Sequence, residues 1–348
     1  MTAGPRLVTP GINRTYRPTV SAGYAQALLD FAVSQGAGRA ELLARSGIAP
    51  DALTDRDNRV PLASYVALMR GAKTICEAPD LGLRFGAGTN FEEVSLVGLI
   101  CRAAGTMGEA LQQLNRYRRL IAEVDLGGGE RFELVPQGGE LWLEDRRPDP
   151  NAFPELTEET FARFVCEVAR SHGDIPFVTA VEVTHAKPAH ASAYEAVLKV
   201  PVVFGAARNA LRIEPSWLAL ETHGANQYVF GIFNDRAQAL LARLEATRTV
   251  RGEVERLLMP RLHLGAAGMA ATARAMNLSR PTLYRRLKAE GVSFDQVLDD
   301  LRQELAKTYL ARLSVNETAY LLGFSDRSAF SRAFKRWTGQ GPRGWKDA

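Results

Sequence analysis

Apolar residues recur at intervals of three and four along the first third of the chain. This spacing is typical of amphipathic helices with one face turned toward a core. Residues 57–61 interrupt the pattern, and a third helical segment is expected over residues 96–120. The apolar positions are Tyr24, Ala27, Leu28, Phe31 and Ala32 in the first helical stretch, and Tyr65, Leu68, Met69 and Ala72 in the second.

The period changes from helical to alternating after residue 130. Residues 131–135 and 140–144 alternate between apolar and polar side chains, with Gln-Gly-Gly at 137–139, which predicts a β-hairpin. A helix is expected to follow over 157–171, with Thr157 as its N-cap.

Two β-branched segments, 177–184 and 199–204, are expected to be strands. Together these elements predict one α+β domain in the front part of the chain, followed by a helix over about Asn234–Ala246. The expected organisation is a flexible tail at 1–20, an α+β domain at 21–233, a linker helix at 234–249 and an all-α domain at 250–348.

The C-terminal region contains two tandem helix-turn-helix patterns, at about 268–289 and 315–338. A long helix separates them, and Ser293 with Gln296 predicts a capping box at its start. With about 18 residues it would span ~27 Å, against ~34 Å for one turn of B-DNA. Such a helix can place two recognition helices in successive major grooves.

Each pattern also carries its own cap and turn signals. Ser279 and Ser325 are expected to cap the two recognition helices, and Ser314 with Glu317 predicts another capping box. Gly323 supplies the turn of the second unit, where a positive φ is expected.

The outward positions of the two recognition helices are rich in arginine. Arg285 and Arg332 are expected to reach base edges, because a guanidinium can fork onto guanine. Arg280 and Arg327 stay open between base and phosphate contact, and Tyr284 between a thymine methyl and sugar. Lys288, Lys335 and Arg336 are expected to contact phosphate. The full candidate set is Arg280, Thr282, Tyr284, Arg285, Lys288, Arg327, Ser328, Ser331, Arg332, Lys335 and Arg336.

These residues resemble the AraC/XylS family of bacterial transcriptional regulators. Residues 323–339, Pro342 and Trp345 are close to the family's signature around its second helix-turn-helix unit. The first unit matches less closely, because Pro281 stands where many members carry a base-contacting or bulky residue. The other matching positions of the first unit are Leu278, Ser279, Leu283, Arg285 and Leu287.

The front region is similar to the sensor domain of the branch that includes ornithine- and arginine-responsive regulators. The similarity lies at Pro61-Leu62, at residues 81–86 and in the helix with Leu111, Leu114 and Tyr117. The resemblance implies a transcriptional activator that binds a small organic effector, forms a homodimer and contacts promoter DNA and RNA polymerase. It identifies neither the effector nor its binding residues, and it leaves open a front domain that only dimerises.

Charge is unevenly distributed between the two regions. Residues 236–348 hold 20 Lys and Arg against 11 Asp and Glu, an excess of nine, whereas residues 1–235 hold 23 against 28. A basic C-terminal third on an acidic partner is typical of a nucleic-acid-binding module joined to a different one.

Composition argues against several other functions. The 348 residues are 46% hydrophobic, with no apolar run long enough to cross a membrane and no signal-peptide pattern, so a cytoplasmic protein is expected. The three cysteines lack metal-ligand spacing, and His185 and His190 are interpreted as loop residues. Gly86-Ala87-Gly88 is not a dinucleotide loop. No cofactor, metal or catalytic activity is therefore expected.

Overall fold

The computed structural model describes residues 18–124, 126, 129–173, 177–246, 249–264 and 268–346. The chain divides into two compact units, a front unit of Arg17–Leu241 and a C-terminal unit that begins at Ala242. Most of the predicted tail, and Gly127 and Gly128, lie outside the described residues.

Helices make up most of the front unit. The segment expected as one helix over 96–120 is two helices, because the chain turns after Ala103 and Thr106 caps a new helix by accepting a hydrogen bond from the Glu109 N–H at 3.2 Å. The helices are α1 (Ala22–Ser34), α2 (Arg39–Ser46), α3 (Leu62–Ile75), α4 (Leu81–Gly88), α5 (Phe91–Val94), α6 (Leu96–Ala103), α7 (Met107–Ile121), α8 (Glu155–His172), α9 (Ala191–Leu198) and α10 (Gln227–Ala246). Short 3-10 turns occupy Pro50–Leu53, Pro150–Ala152 and Pro215–Ala219.

Two sheets complete the front unit. The strands are β1 (Thr19–Ser21), β2 (Arg59–Pro61), β3 (Phe132–Gln137), β4 (Glu140–Asp145), β5 (Val178–Val183), β6 (Val202–Phe204) and β7 (Ala210–Ile213). β1 pairs with β2, and the others form a sheet in the order β3-β4-β7-β5-β6, antiparallel except for β5 with β6. The predicted hairpin is present, with Val135 opposite Trp142. The sequence interpretation missed α9, which connects β5 to β6. It also missed β7, which pairs with both β4 and β5.

Helices α4 and α8 pack closely because α4 carries two glycines at the contact. A Cβ on Gly86 would lie 2.2 Å from the Glu159 carbonyl oxygen, and one on Gly82 would lie 2.6 Å from Glu158 Oε2. The glycines of residues 81–86 therefore allow the close approach of α4 to α8, and these residues form a helix and not a nucleotide-binding loop. The predicted cap at Thr157 is wrong: α8 begins at Glu155, and the buried Thr157 hydroxyl accepts a hydrogen bond from Arg147.

A buried ion cluster joins β4 to α8. The Asp145 carboxylate accepts hydrogen bonds from Arg131 Nε at 2.8 Å and from Arg147 Nε at 3.1 Å, and all three residues are buried. Burial alone would raise the pKa of Asp145, but the two guanidinium groups lower it below its ordinary value.

A second buried polar cluster centres on Glu159 in α8. Its carboxylate accepts hydrogen bonds from Tyr65 Oη at 2.8 Å and Tyr24 Oη at 3.3 Å, and Arg163 donates to Tyr24 Oη at 2.9 Å. Burial raises the pKa of Glu159 to about 7, although Arg163 opposes the shift.

The raised pKa of Glu159 predicts a pH-dependent stability. Between the ordinary carboxyl pKa and about 7, the folded state binds more protons than the unfolded state, so this contribution to the unfolding free energy falls as pH rises. We expect wild type to lose on the order of 2 kcal/mol relative to Glu159→Gln over this range. Denaturant titrations of both proteins at several pH values measure this; a difference that does not vary with pH would contradict it.

A third polar cluster includes both histidines that were interpreted as loop residues. Glu158 Oε1 accepts a hydrogen bond from Tyr194 Oη at 2.8 Å and lies 3.0 Å from His190 Nε2, while His185 Nε2 lies 2.9 Å from Tyr194 Oη.

Within the described ranges no group of three or more His, Cys, Asp or Glu side chains could hold a metal ion. No helix among the described residues is long and apolar enough to cross a membrane.

The C-terminal unit is all helical, as expected. Its elements after α10 are α11 (Val250–Leu258), a 3-10 turn (Met259–Leu264), α12 (Met269–Ala275), α13 (Arg280–Ala289), α14 (Phe294–Leu310), α15 (Val315–Leu321), α16 (Arg327–Thr338) and α17 (Pro342–Lys346). α10 begins at Gln227, before the predicted start at Asn234. The core of this unit is a separate apolar cluster that includes Leu283, Leu287, Val297, Leu301, Phe330 and Phe334.

Candidate nucleic-acid interface

The first helix-turn-helix unit consists of α12, a tight turn and α13. Asn277 has a φ of 53°, and the Leu278 N–H donates to the Ala273 carbonyl at 2.8 Å, which closes the turn. Ser279 caps α13 as predicted, accepting from the Thr282 N–H at 3.3 Å. Pro281 occupies the first turn of α13, where a missing N–H leaves no helical hydrogen bond unmade.

The second unit, α15 and α16, uses a similar turn. Gly323 has a φ of 71°, and the Phe324 N–H donates to the Ala319 carbonyl at 3.0 Å. The capping box is present: the Glu317 N–H donates to Ser314 Oγ at 3.2 Å, and the Ser314 N–H donates to Glu317 Oε2 at 2.8 Å.

The cap predicted at Ser325 is wrong. Asp326 caps α16, because its Oδ1 accepts from the Ala329 N–H at 2.7 Å, and this hydrogen bond lowers the pKa of Asp326. Ser325 instead donates to the Asp326 carboxylate at 3.1 Å. The physical reason is that the second turn is one residue longer than the first. α16 begins four residues after Gly323, whereas α13 begins three residues after Asn277. The N-cap position of α16 therefore falls on Asp326 and not on Ser325.

The turn residues of the two units predict opposite responses to substitution. Gly323→Ala should destabilise the C-terminal unit by roughly 1–2 kcal/mol, because a Cβ is unfavourable at positive φ. Asn277→Gly should leave stability equal or slightly raised, since glycine adopts this conformation freely. Thermal melting of both variants checks this. Equal losses in the two variants would show that backbone conformation is not what selects these residues.

Most of the predicted DNA-contacting side chains are exposed. Leu283, Leu287, Phe330 and Phe334 face the core, which turns the polar positions outward. Tyr284 is 53% exposed. Two candidates, Thr282 and Ser331, are only half exposed, and the Thr282 hydroxyl lies 2.8 Å from Ser279 Oγ. The exposed candidates are Arg280, Tyr284, Arg285, Lys288, Arg327, Ser328, Arg332, Lys335 and Arg336.

Ion pairing separates Arg336 from the other arginines. Its Nη2 lies 2.7 Å from Asp299 Oδ2 on α14, an exposed pair that the sequence interpretation missed. By contrast, Arg280, Arg285, Arg327 and Arg332 form no hydrogen bond or ion pair with any residue that the structure describes. Their guanidinium groups therefore keep all their donors for a ligand outside the chain.

The long helix α14 supports both units. Arg302 on α14 donates from Nε to the Leu322 carbonyl at 3.0 Å and stacks on Phe324, with 4.7 Å between the guanidinium carbon and the ring centre. Gln303 donates to the Trp337 carbonyl at 3.2 Å. On the other side, α14 begins at the predicted Ser293–Gln296 capping box, and Asp300 pairs with Arg251 of α11 at 3.0 Å.

The α14 length agrees with the expectation from sequence. It has 17 residues, which corresponds to ~26 Å along its axis. Glu290, just after α13, accepts from the N–H groups of Val250 at 2.7 Å and Arg251 at 3.0 Å, which ties the first unit to α11. The first unit is therefore connected to α14 through α11, and the second unit contacts α14 directly.

Two helix-turn-helix units with arginine-rich outer faces in one basic module define a DNA-binding regulator of the helix-turn-helix class. A family model described as the arabinose-binding domain of AraC transcription regulators matches residues 36–222, and a helix-turn-helix domain model matches residues 272–348. The chain belongs to the AraC family of transcriptional regulators, which confirms the resemblance seen in the sequence.

Individual relatives match this chain over most of its length. The chain is 29% identical over 340 residues to an ornithine utilization regulator from Pseudomonas aeruginosa, covering 94% of this chain and 96% of the relative. It is 26% identical over 318 residues to the HTH-type transcriptional regulator VirS of Mycobacterium tuberculosis, covering 89% and 91%. A crystal structure of the transcriptional regulator CdpR from Pseudomonas aeruginosa matches 93% of this chain and 98% of that chain, at 25% identity and a TM-score of 0.40.

Proposed function

We propose that this protein is a sequence-specific DNA-binding transcriptional activator that responds to a small organic effector. One observation carries the proposal: both recognition helices present exposed arginines whose guanidinium groups form no hydrogen bond or ion pair with the described residues, namely Arg280 and Arg285 on α13 and Arg327 and Arg332 on α16. A buried helix face and an unpaired basic outer face are what insertion into a major groove requires.

The proposed contacts divide by chemistry. Arg285 and Arg332 read base edges, while Lys288, Lys335 and Arg336 bind phosphate and set the register. Arg280, Arg327 and Tyr284 lie near the start or the middle of their helices and contact base or backbone. Thr282, Ser328 and Ser331 complete the surface with shorter hydroxyl donors.

A responsive front unit is supported by the comparisons. The matched family model is described as an arabinose-binding domain, and one relative is named for ornithine utilization. Those names describe those proteins. For this chain the proposal is a small organic effector bound by the front domain at 21–233, with the linker helix at 234–249 leading to the DNA-binding domain at 250–348.

Self-association is the second role proposed for the front domain, and the alternative if no effector binds. Tyr228 and Ile232 lie one turn apart on α10 and are 79% and 51% exposed, an apolar pair that a second copy can cover. The proposed assembly is a cytoplasmic homodimer on promoter DNA that contacts RNA polymerase.

The test is binding of the purified full chain to promoter duplexes from beside its own gene, competed with unrelated duplex of equal length at two salt concentrations. The proposal predicts a specific site bound at least ~1,000-fold more tightly than unrelated duplex, with affinity that falls as salt rises. Equal binding to all duplexes would overturn sequence-specific recognition.

Sedimentation of wild type and Tyr228→Ser tests self-association separately.

A further inference from the structure

The C-terminal unit contains one three-helix arrangement twice in succession. In each copy a leading helix packs on the two helices of the helix-turn-helix unit: α11 packs on α12 and α13, and α14 packs on α15 and α16. Apolar positions of the two leading helices match when the sequence is shifted by 47 residues. The matching positions, which all belong to the core of this unit, are Val250, Val254 and Leu258 on α11, and Val297, Leu301 and Leu305 on α14.

The repeat continues through the turns into the recognition helices. The buried Thr272 of α12 matches the buried Thr318 of α15 at a shift of 46 residues, and the shift becomes 47 after the longer second turn. Each recognition helix then begins at an arginine and has buried apolar residues at its fourth and eighth positions. These are Leu283 and Leu287 on α13, and Phe330 and Phe334 on α16. The equal spacing turns the same helical positions of α13 and α16 away from the core.

The positions turned outward carry the same cations in both recognition helices. Each helix has arginine at its first and sixth positions and lysine at its ninth, and all six side chains are exposed. The sixth and ninth positions are three residues apart, so they share one face of the helix. The residues are Arg280, Arg285 and Lys288 on α13, and Arg327, Arg332 and Lys335 on α16.

The two outward faces differ at the second and fifth positions. The second position lies one turn before the shared arginine and holds Pro281 on α13 but Ser328 on α16, both exposed. The fifth position holds Tyr284, which is 53% exposed, on α13 and the half-exposed Ser331 on α16. A serine hydroxyl donates and accepts hydrogen bonds, whereas the proline side chain does neither. The two helices therefore offer different chemistry beside the shared arginine.

The contact between the two leading helices bears on the orientation of the repeats. A two-fold axis between them would bring each pair of matching positions together twice. Arg251 of α11 pairs with Asp300 of α14 at 3.0 Å. The positions that match these two in the other repeat are Leu298 and Glu253, which cannot form an ion pair. This contact favours two units that follow each other in the same direction.

We propose that one chain binds two half-sites arranged as a direct repeat, which share a guanine at the same position and differ in the base pairs beside it. Arg285 reads this guanine in one half-site and Arg332 reads it in the other, each through two hydrogen bonds to O6 and N7. Lys288 and Lys335 bind the matching phosphates. The inference rests on the proposed sequence-specific DNA binding and supplies the form of the target sequence.

The experiment is selection of bound duplexes by the full chain, followed by replacement of each base pair of the selected site in turn. A guanine is expected at the same position of both halves and on the same strand, and its replacement should raise the Kd of wild type by roughly 5–150-fold. In Arg285→Gln the replacement should have no further effect in one half, and in Arg332→Gln it should have none in the other. Guanines at different positions, on opposite strands or in one half only would overturn the direct repeat. Selective binding to unlike halves leaves the proposed function standing, whereas a failure to select any sequence removes both.

A double variant tests the positions at which the two helices differ. Pro281→Ser combined with Tyr284→Ser gives α13 the second- and fifth-position residues of α16. It should bind a duplex with two copies of the half-site read by α16 at least ~5-fold more tightly than wild type does. The matched control, Pro281→Ala combined with Tyr284→Ala, lacks the hydroxyl groups and should show no such gain. Thermal melting verifies the folding of both variants, and equal affinities of the two variants for this duplex would contradict the assignment.

Discussion

Arg332→Ala and Arg285→Ala should each weaken binding to the specific DNA site by roughly 1–3 kcal/mol. The loss of affinity should be much smaller for unrelated duplex. Each side chain is exposed on its recognition helix and makes no hydrogen bond or ion pair with the described residues. Removing either guanidinium group therefore breaks no internal hydrogen bond or ion pair, although the charge of Arg332 also interacts with Asp326, the N-cap of α16. Fluorescence anisotropy on both duplexes, at one fixed salt concentration, measures the two affinities.

Lys335→Ala is the matched control for Arg332→Ala, because Lys335 lies on the same helix and is also exposed. A phosphate contact carries no sequence information, so this variant should weaken all duplexes about equally and reduce the salt slope by ~1. If Arg332→Ala behaves in the same way as Lys335→Ala, Arg332 is a phosphate contact and the assignment of base reading is wrong.

Asp145→Ala should destabilise the front unit by roughly 3–5 kcal/mol, because it leaves Arg131 and Arg147 buried without their shared counter-ion. The matched control is Glu140→Ala, which removes an exposed carboxylate of the same strand that pairs with Arg212 and should cost less than ~1 kcal/mol. Urea unfolding of the two variants and wild type gives the comparison.

The pH dependence of Asp145 gives an independent check. Since the folded-state pKa is lowered, the stabilisation is present above the ordinary carboxyl pKa and is lost as pH falls through the folded-state value. The stability difference between wild type and Asp145→Ala should therefore shrink toward acid pH. A loss no larger than that of Glu140→Ala would contradict the ion cluster as a structural element.

Local patterns predicted the elements whose determinants are local. The β-hairpin, the capping boxes at Ser293 and Ser314 and the apolar faces of the recognition helices depend on residues a few positions apart. Asp326 was missed because Ser325 fits a cap equally well by residue type, and only the length of the turn decides between them.

Long-range burial could not be predicted in the same way. The acidic start of α8 is typical of an exposed first turn, yet Glu155, Glu158 and Glu159 are buried against partners far away in the chain. Those partners, such as Tyr65 at 94 residues from Glu159, are known only once the fold is known. The Arg336–Asp299 pair was missed for the same reason, although the left-handed turn at Asn277 was open to inference because asparagine tolerates this conformation.

Both helix-turn-helix units of one chain are expected to read DNA together. Selection of bound sequences from random duplexes, followed by affinity measurements on the selected site with each half scrambled in turn, tests it most directly. We predict two half-sites about 10–10.5 base pairs apart, with affinity lost when either half is scrambled. A selected site with only one half-site, or an affinity that tolerates scrambling of the other half, would contradict joint reading.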